Sequence, residues 1–296
     1  MQNNRWHLKF SVYLVVNYLA LNIIPHTPSP ILKSAVRQMW IVEEESGIEI
    51  EVNSFPVGYP FINVISSDKF ILRGSHDEVL KTNSYLVGQT LSPFSLYMKL
   101  IKRAITIQLV PSAIPSLFGL NAHEFFEKRI SLADLSTDLA HRLEDLIESN
   151  LSSREVLSKT DSYLSRCIKN NEDEPRMHRA LQLLIETAGG LKMKELAFEL
   201  NLSQRRMQQL FKENIGVPGK SYARIIKLQH HTFKLLQNDT IEQIVPDGYF
   251  DQSHFIHDLK GQTGMLPDTF KTYINDPSKK RAYYFSNIYF GYEGIS

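Results

Sequence analysis

Apolar and polar residues alternate with a period of two in the first third of the chain. Residues 48–52 read Ile-Glu-Ile-Glu-Val, and residues 105–109 read Ile-Thr-Ile-Gln-Leu. This period points successive side chains to opposite faces and predicts half-buried strands. Prolines and glycines separate several short apolar runs between these two segments. Between residues 22 and 111, the pattern therefore predicts an antiparallel sheet or a small barrel.

The period changes to that of a helix after residue 131. Leucines recur there at intervals of three or four and form one continuous apolar stripe: Leu132, Leu135, Leu139, Leu143 and Leu146. Such a stripe must be covered by another apolar surface. It can pack on the protein's own sheet, or four of its members, Leu135, Leu139, Leu143 and Leu146, can form a dimer contact. The sequence favours neither use over the other.

A helix with a polar outer face is predicted from Ser203 to Lys212. Ser203 is a typical N-cap residue, and apolar residues follow it at helical spacing. The outer face carries Gln204, Arg205, Gln208, Gln209 and Lys212. Glutamine pairs with adenine and arginine with guanine in the major groove. Because residues 194–200 form a shorter amphipathic helix just before it, the pattern favours a helix-turn-helix unit.

Positive charge is concentrated around this helix. The whole chain has a formal net charge of +1. Residues 203–238, however, contain seven basic side chains and one acidic side chain, Glu213. A basic domain attracts the phosphate backbone, and its affinity for DNA falls with salt. The charge distribution therefore favours DNA over a generic partner.

A second motif lies further along the C-terminal third. Residues 248–255 read Gly-Tyr-Phe-Asp-Gln-Ser-His-Phe, and Lys260, Gly264 and Pro267 follow before Phe270. With the first unit, this region resembles the AraC/XylS family of bacterial transcription regulators. The resemblance implies a DNA-binding domain of two helix-turn-helix units joined by one long helix. It also implies that base contacts come from Arg205, Gln208 and Gln209 in the first reader helix, and from Ser253, Ile256 and His257 in the second.

Two residues depart from the family pattern. The family usually has an arginine where Gln209 stands, which changes the expected base preference. Ile241 and Gly248 lie one residue closer together than in the family, with Pro246 between them. Proline inside a helix costs about 3 kcal/mol. We therefore expect the lead helix of the second unit to end near Val245, and the first unit to dominate DNA binding.

The N-terminal region resembles one branch of the same family. The features are Pro-x-x-x-Leu at 28–32, Trp40, Phe-Pro-x-Gly at 55–58, Leu-Val-Gly at 86–88 and Val-Pro-Ser-Ala at 110–113. The resemblance implies a cupin-like sensory domain for an unknown small-molecule or protein effector. Ligand cavities are largely apolar, so five aromatic residues are candidate ligand contacts: Trp40, Phe55, Tyr59, Phe61 and Tyr97. The alternative is that these side chains simply fill the barrel.

Together these patterns predict an α+β protein. It has an N-terminal antiparallel sheet or small barrel with flanking helices, and an all-α C-terminal domain. The expected divisions are an N-terminal extension at 1–21, a sensory and dimerisation domain at 22–165, a linker at 166–175, the DNA-binding domain at 176–273 and an aromatic tail at 274–296. Residues 8–24 are interrupted by polar side chains and fall short of the roughly 20 apolar residues of a membrane span. We therefore expect a cytoplasmic protein without membrane contact.

The sequence carries none of the motifs that mark common enzyme classes. His123-Glu124 begins like a zinc-protease helix, but Glu127 stands where the second histidine is needed. Cys167 is the single cysteine, and His76 is the only histidine between Trp40 and Pro111. We expect no catalysis, no cofactor and no metal. Expected partners are double-stranded DNA, RNA polymerase, an effector and a second copy of the chain. The alternative is a non-enzymatic protein-interaction module with a partly degenerate DNA-binding domain.

Overall fold

The chain folds into an N-terminal α+β domain followed by an all-helical C-terminal domain, which confirms the predicted fold class. The computed structural model describes residues 22–43, 48–66, 69–73, 78–79, 82–100, 102–236, 243, 249 and 251–275. The predicted N-terminal extension and most of the predicted aromatic tail lie outside these ranges. Of the helices described, none is both long and apolar enough to cross a membrane.

Ten strands are described, and they form two antiparallel sheets. They are β1 (Asn22–His26), β2 (Val36–Glu43), β3 (Ile48–Ser54), β4 (Phe61–Ile65), β5 (Lys69–Arg73), β6 (Glu78–Val79), β7 (Ser84–Val87), β8 (Phe94–Leu100), β9 (Arg103–Leu109) and β10 (Arg129–Ser131). The six-stranded sheet has the order β1-β2-β9-β4-β7-β10, and the four-stranded sheet has the order β3-β8-β5-β6. Both segments with a period of two are strands, as predicted.

The central strand β9 is more buried than its alternation predicts. It pairs with β2 on one side and β4 on the other. Its apolar residues Ile105 and Ile107 are fully buried, and Gln108 on the opposite face is only 3% exposed. A strand in the middle of a sheet is shielded more than an edge strand, so the expectation of a half-buried strand was wrong here.

Two short 3-10 helices, Leu32–Ser34 and Ala122–Phe125, accompany the α-helices. The α-helices are α1 (Ala113–Phe118), α2 (Leu132–Leu135), α3 (Thr137–Glu148), α4 (Ser153–Cys167), α5 (Glu174–Glu186), α6 (Met193–Glu199), α7 (Gln204–Asn214), α8 (Gly219–Leu236), α9 (Gln252–Thr263) and α10 (Pro267–Asn275). Caps define several of their starts. Ser136 caps α3, and Ser152 with Glu155 forms a capping box on α4.

Helices α1, α3 and α4 cover one face of the six-stranded sheet and form the N-terminal core with it. The leucine stripe belongs to this core. Leu139, Leu143 and Leu146 are 3%, 0% and 7% exposed, and Leu135 packs partly against the same cluster. Because these side chains already contact the protein's own sheet and α4, the structure corrects their assignment to a dimer surface and favours core packing.

Two further clusters of buried residues hold the C-terminal domain. The first core consists of Met177, Ala180, Leu181, Leu184, Leu196, Ala197, Met207, Leu210, Phe211, Ile215, Val217, Tyr222, Ala223 and Ile226. The second core consists of Phe55, Leu228, Leu235, Tyr249, Phe255, Leu259, Phe270 and Ile274. The long helix α8 contributes to both cores, as expected for a helix that joins two units. The expected end of a lead helix near Val245 falls outside the described residues.

Candidate nucleic-acid interface

Helix α7 is fixed by a cap at its start and by an apolar face. Ser203 Oγ accepts a hydrogen bond from the Arg206 backbone N–H at 3.1 Å, which confirms the predicted N-cap. Asn201 has a φ of +52°, a conformation that asparagine tolerates better than most residues, and it lies between the end of α6 and this cap. Met207 and Phe211 are at most 1% exposed in the first core. The packing of this face turns the other side of α7 toward solvent.

The solvent-facing side of α7 carries all five residues predicted for it. The exposed residues are Gln204, Arg205, Gln208, Gln209 and Lys212. They include amide and guanidinium groups, which can form paired hydrogen bonds with base edges. The structure therefore presents a helix face with the chemistry of a major-groove reader.

Part of the positive charge around α7 is paired with acidic side chains of the protein itself. Arg206 Nη2 lies 2.9 Å from Asp173 Oδ2, and Arg206 Nη1 lies 3.1 Å from Glu213 Oε2. Gln209 Nε2 also donates to Glu213 Oε1 at 2.7 Å. Arg206 therefore ties α7 to Asp173 at the start of α5, and part of its charge is used within the protein.

Helix α9 lies at the position of the second predicted reader. Asp251 caps it by accepting from the His254 backbone N–H at 2.7 Å. Ser253 and His257 are exposed as predicted. Ile256 is only partly exposed and packs against the second core. Its role as a base contact stays a prediction, since part of its side chain is exposed and the rest helps to hold α9 in place.

A buried carboxylate joins α9 to α8. The Asp258 side chain is 5% exposed, and its Oδ1 accepts from Arg224 Nε at 2.9 Å. Tyr249 donates its hydroxyl proton to Asp258 Oδ2 at 3.2 Å. Burial and the Asp258 charge raise the pKa of Tyr249, so its hydroxyl stays a donor. Sequence patterns gave no signal for this network, because a charged residue on a helix is usually exposed.

A basic cleft lies between the two helix-turn-helix units. Its volume is about 570 Å³, and its lining includes Lys192, Lys220, Arg224, Lys227, His254 and His257. A second groove, of about 240 Å³, runs past Gln208 and Lys212 on α7. Both linings include Met193 and Lys220. The two reader helices therefore border one continuous surface, whose lining also includes apolar residues and Asp258, the partner of Arg224.

The predicted ligand contacts do not all lie together. Trp40 on β2 and Phe61 on β4 occupy the sheet face opposite the N-terminal core, in rows that also contain Thr106 and Gln108 of β9. The Tyr59 hydroxyl accepts a hydrogen bond from Arg37. Phe55 is corrected, because it lies in the second core of the C-terminal domain. The Tyr97 side chain is outside the described part.

Polar side chains pair on this same sheet face. Gln38 Nε2 donates to Gln108 Oε1 at 3.1 Å, and Thr106 Oγ1 donates to Asn63 Oδ1 at 3.0 Å. Tyr85 lies in the next strand beside Asn63 and is 2% exposed, and burial raises its pKa. The face thus combines aromatic surface with buried or partly buried amide and hydroxyl groups. In the part of the chain that is described, no group of three or more histidine, cysteine or acidic residues is arranged to hold a metal ion.

Two family models match separate regions of the chain. A model described as a helix-turn-helix domain, of AraC type, matches residues 196–273, which include α7 and α9. Residues 196–273 therefore form an AraC-type helix-turn-helix domain. A model described as a domain of unknown function (DUF6597) matches residues 25–131 of the N-terminal domain. The AraC-type domain supports a DNA-binding transcription regulator.

Solved structures of distant sequence are similar to it. ToxT from Vibrio cholerae O395 is 14% identical, with 81% of this chain and 97% of that chain covered and a TM-score of 0.41. Unsaturated fatty acid bound wild-type ToxT from Vibrio cholerae strain SCE256 is 11% identical, with 83% and 97% covered and a TM-score of 0.39. The AraC-like transcriptional activator CuxR is 16% identical, with 81% and 91% covered and a TM-score of 0.25. Comparison with curated proteins gave no significant match.

Proposed function

We propose that the protein regulates transcription by reading DNA mainly with α7 and secondarily with α9. The observation that carries this proposal is the solvent-facing side of α7, where Arg205 and Gln208 are exposed. Among the described residues, neither side chain forms an ion pair or a hydrogen bond with an acidic side chain. Gln209 is already bonded to Glu213 and must exchange that bond to reach a base. Arg205 and Gln208 are therefore the principal base-reading residues in this proposal, and Gln209 is the third.

The second reader contributes less in this proposal. Ser253 and His257 are its exposed members from the predicted set. Neither presents the pair of hydrogen-bonding groups with which glutamine or arginine contacts one base at two atoms. Asp258, next to them, is held by Arg224 and Tyr249 and keeps α9 in place. We infer that α9 mainly contacts the DNA backbone and fixes the position of the protein along the duplex.

A mobility-shift titration with promoter fragments flanking the chain's own gene tests this function. The expected result is sequence-dependent binding that competitor DNA of random sequence does not remove. Transcription in vitro with RNA polymerase, the proposed partner at the promoter, should then change when the protein is added. Binding of all fragments with equal affinity would instead support the protein-interaction module.

We infer that the basic cleft holds the DNA backbone between the two readers. Lys220 is exposed and lies where the cleft meets the groove beside α7. Each phosphate contact releases condensed counterions, so log affinity falls linearly with log salt. Lys220→Ala should reduce the magnitude of this slope by about 1 and should weaken binding to all DNA sequences to a similar extent.

The matched control is Lys159→Ala, which removes an exposed lysine from α4 in the N-terminal domain. Its slope should equal that of the unmodified protein. Affinity is measured by fluorescence anisotropy over a range of salt concentrations. If the two variants had equal slopes of log affinity against log salt, the DNA backbone would not lie in the basic cleft.

An effector is proposed to bind the sheet face that carries Trp40, Phe61, Thr106 and Gln108. Aromatic surface with a few buried polar groups is typical of small-molecule sites. The chain contains two tryptophans, Trp6 and Trp40. In a Trp6→Phe variant, a small molecule that raises the melting temperature should therefore also change the emission of Trp40. A stabilising molecule that leaves this emission unaltered would argue against the site.

A further inference from the structure

The loop between β3 and β4 leaves the N-terminal sheet and enters the C-terminal domain. Its first residue, Phe55, is 2% exposed and belongs to the second core. The other buried members of that core come from residues 228–274. The buried members of the first core, in contrast, all lie between residues 177 and 226. Among the described residues, the second unit thus has a core that includes a side chain from the N-terminal domain.

The ring of Phe55 contacts two aromatic rings of α10. Its ring centroid is 5.6 Å from that of Phe270 and 5.8 Å from that of Tyr273, with interplanar angles of 89° and 87°. Edge-to-face contact is a favoured arrangement of aromatic rings. The same core contains Phe255 and Leu259 on the inner side of α9. Phe55 therefore contributes to the apolar support on which the second reader helix rests.

The loop is anchored to both domains. The carbonyl of Pro56 accepts a hydrogen bond from Gln229 Nε2 of α8 at 2.8 Å. The carbonyl of Gly58 accepts one from Gln89 Nε2, just beyond β7, at 2.9 Å. Gly58 has a φ of +78°, and a Cβ there would lie 3.2 Å from the Tyr222 ring. Its close approach to α8 at this φ favours glycine.

We propose that Phe55 is a positioning residue for the second reader helix. The N-terminal domain inserts Phe55 into the second core and so controls how firmly α9 is held. The first core, behind α7, takes no buried side chain from that domain, although the partly buried Leu91 and Phe126 pack against it. A change in the N-terminal domain that shifts this loop then alters the second reader without disturbing the first. The consequence for DNA, but not the packing role itself, rests on the proposed function.

Hydrogen exchange measured by mass spectrometry on the full chain tests the packing role. In Phe55→Ala, amide exchange in residues 252–275 should become at least about 10-fold faster. Exchange in α7 and in strands β2 and β9 should stay the same. Phe55→Leu, which refills most of the space, should restore most of the protection. Phe198→Ala, which removes an 81% exposed phenylalanine from α6, is the control and should change nothing in residues 252–275.

Unchanged exchange in residues 252–275 would overturn the inference. So would an equal increase in β2 and β9, because Phe55 would then support the whole fold. The DNA step has a separate readout: His257→Ala should weaken binding in the unmodified chain but have no further effect in Phe55→Ala. A further loss there would refute control of α9 by Phe55. Absence of DNA binding by the unmodified chain would refute the proposed function and the DNA step, while the exchange result would still decide the packing role.

Discussion

Gln208→Ala is expected to lower affinity for the target duplex by about 5- to 150-fold, which corresponds to about 1–3 kcal/mol. Gln208 is exposed at the middle of α7 and lines the groove beside that helix. Its amide can donate to and accept from one adenine, and alanine can do neither. Because the backbone contacts remain, binding to unrelated DNA should change little, so specificity should fall with affinity.

Two comparisons make this result specific. Gln182→Ala removes a glutamine from α5 that is bonded to Glu186, and it should leave DNA affinity unchanged. His257→Ala on α9 should cost much less than Gln208→Ala, because α7 is the dominant reader. Anisotropy titrations at one fixed salt concentration measure all three. Equal losses for Gln208→Ala and His257→Ala would refute the dominance of the first unit.

Leu143→Asp is expected to abolish folding of the N-terminal domain. The Leu143 side chain is fully buried in the N-terminal core. Truncating a buried leucine to alanine already costs about 2–5 kcal/mol, and burying an unpaired carboxylate adds to this. The sum is comparable with the whole stability of a typical domain, about 5–15 kcal/mol. We expect an insoluble or unfolded chain, observed as loss of the cooperative thermal transition.

Leu120→Asp is the control for this experiment. Leu120 follows α1 and is 37% exposed, so a carboxylate there remains hydrated and the protein should fold. The two variants separate the two uses that the leucine stripe allows. A folded, monomeric Leu143→Asp protein in sedimentation velocity would contradict core packing and support a dimer contact.

The first reader could be predicted because its determinants are local. An N-cap serine, apolar residues at helical spacing and a preceding short helix all lie within about three turns of α7, and the family motif covers the same residues. The exposed face follows directly from this periodicity. What the pattern could not show is that Glu213 and Asp173 bind Arg206. Charge counting treats these side chains as independent of one another.

The packing that supports α9 could not be predicted from the sequence, because it is not local. Ile256 and Asp258 occupy positions beside His257, yet one packs on the second core and the other is held by Arg224. Gln229 and Pro56 are separated by 173 residues in the sequence. A phenylalanine beside a proline and a glycine indicates a turn in a β-rich region. Nothing in such a turn indicates which distant helix its aromatic ring will contact.

Selection of binding sites from random duplexes is the most direct test of DNA reading by two unequal helices. The expected result is one strongly enriched block read by α7 and a weaker block about 10 base pairs away read by α9, because successive major grooves on one face are one turn apart. Arg205→Ala or Gln208→Ala should relax base preference within the strong block only. Recovery of no enriched sequence, or of two blocks of equal strength that both respond to changes in α9, would contradict the account.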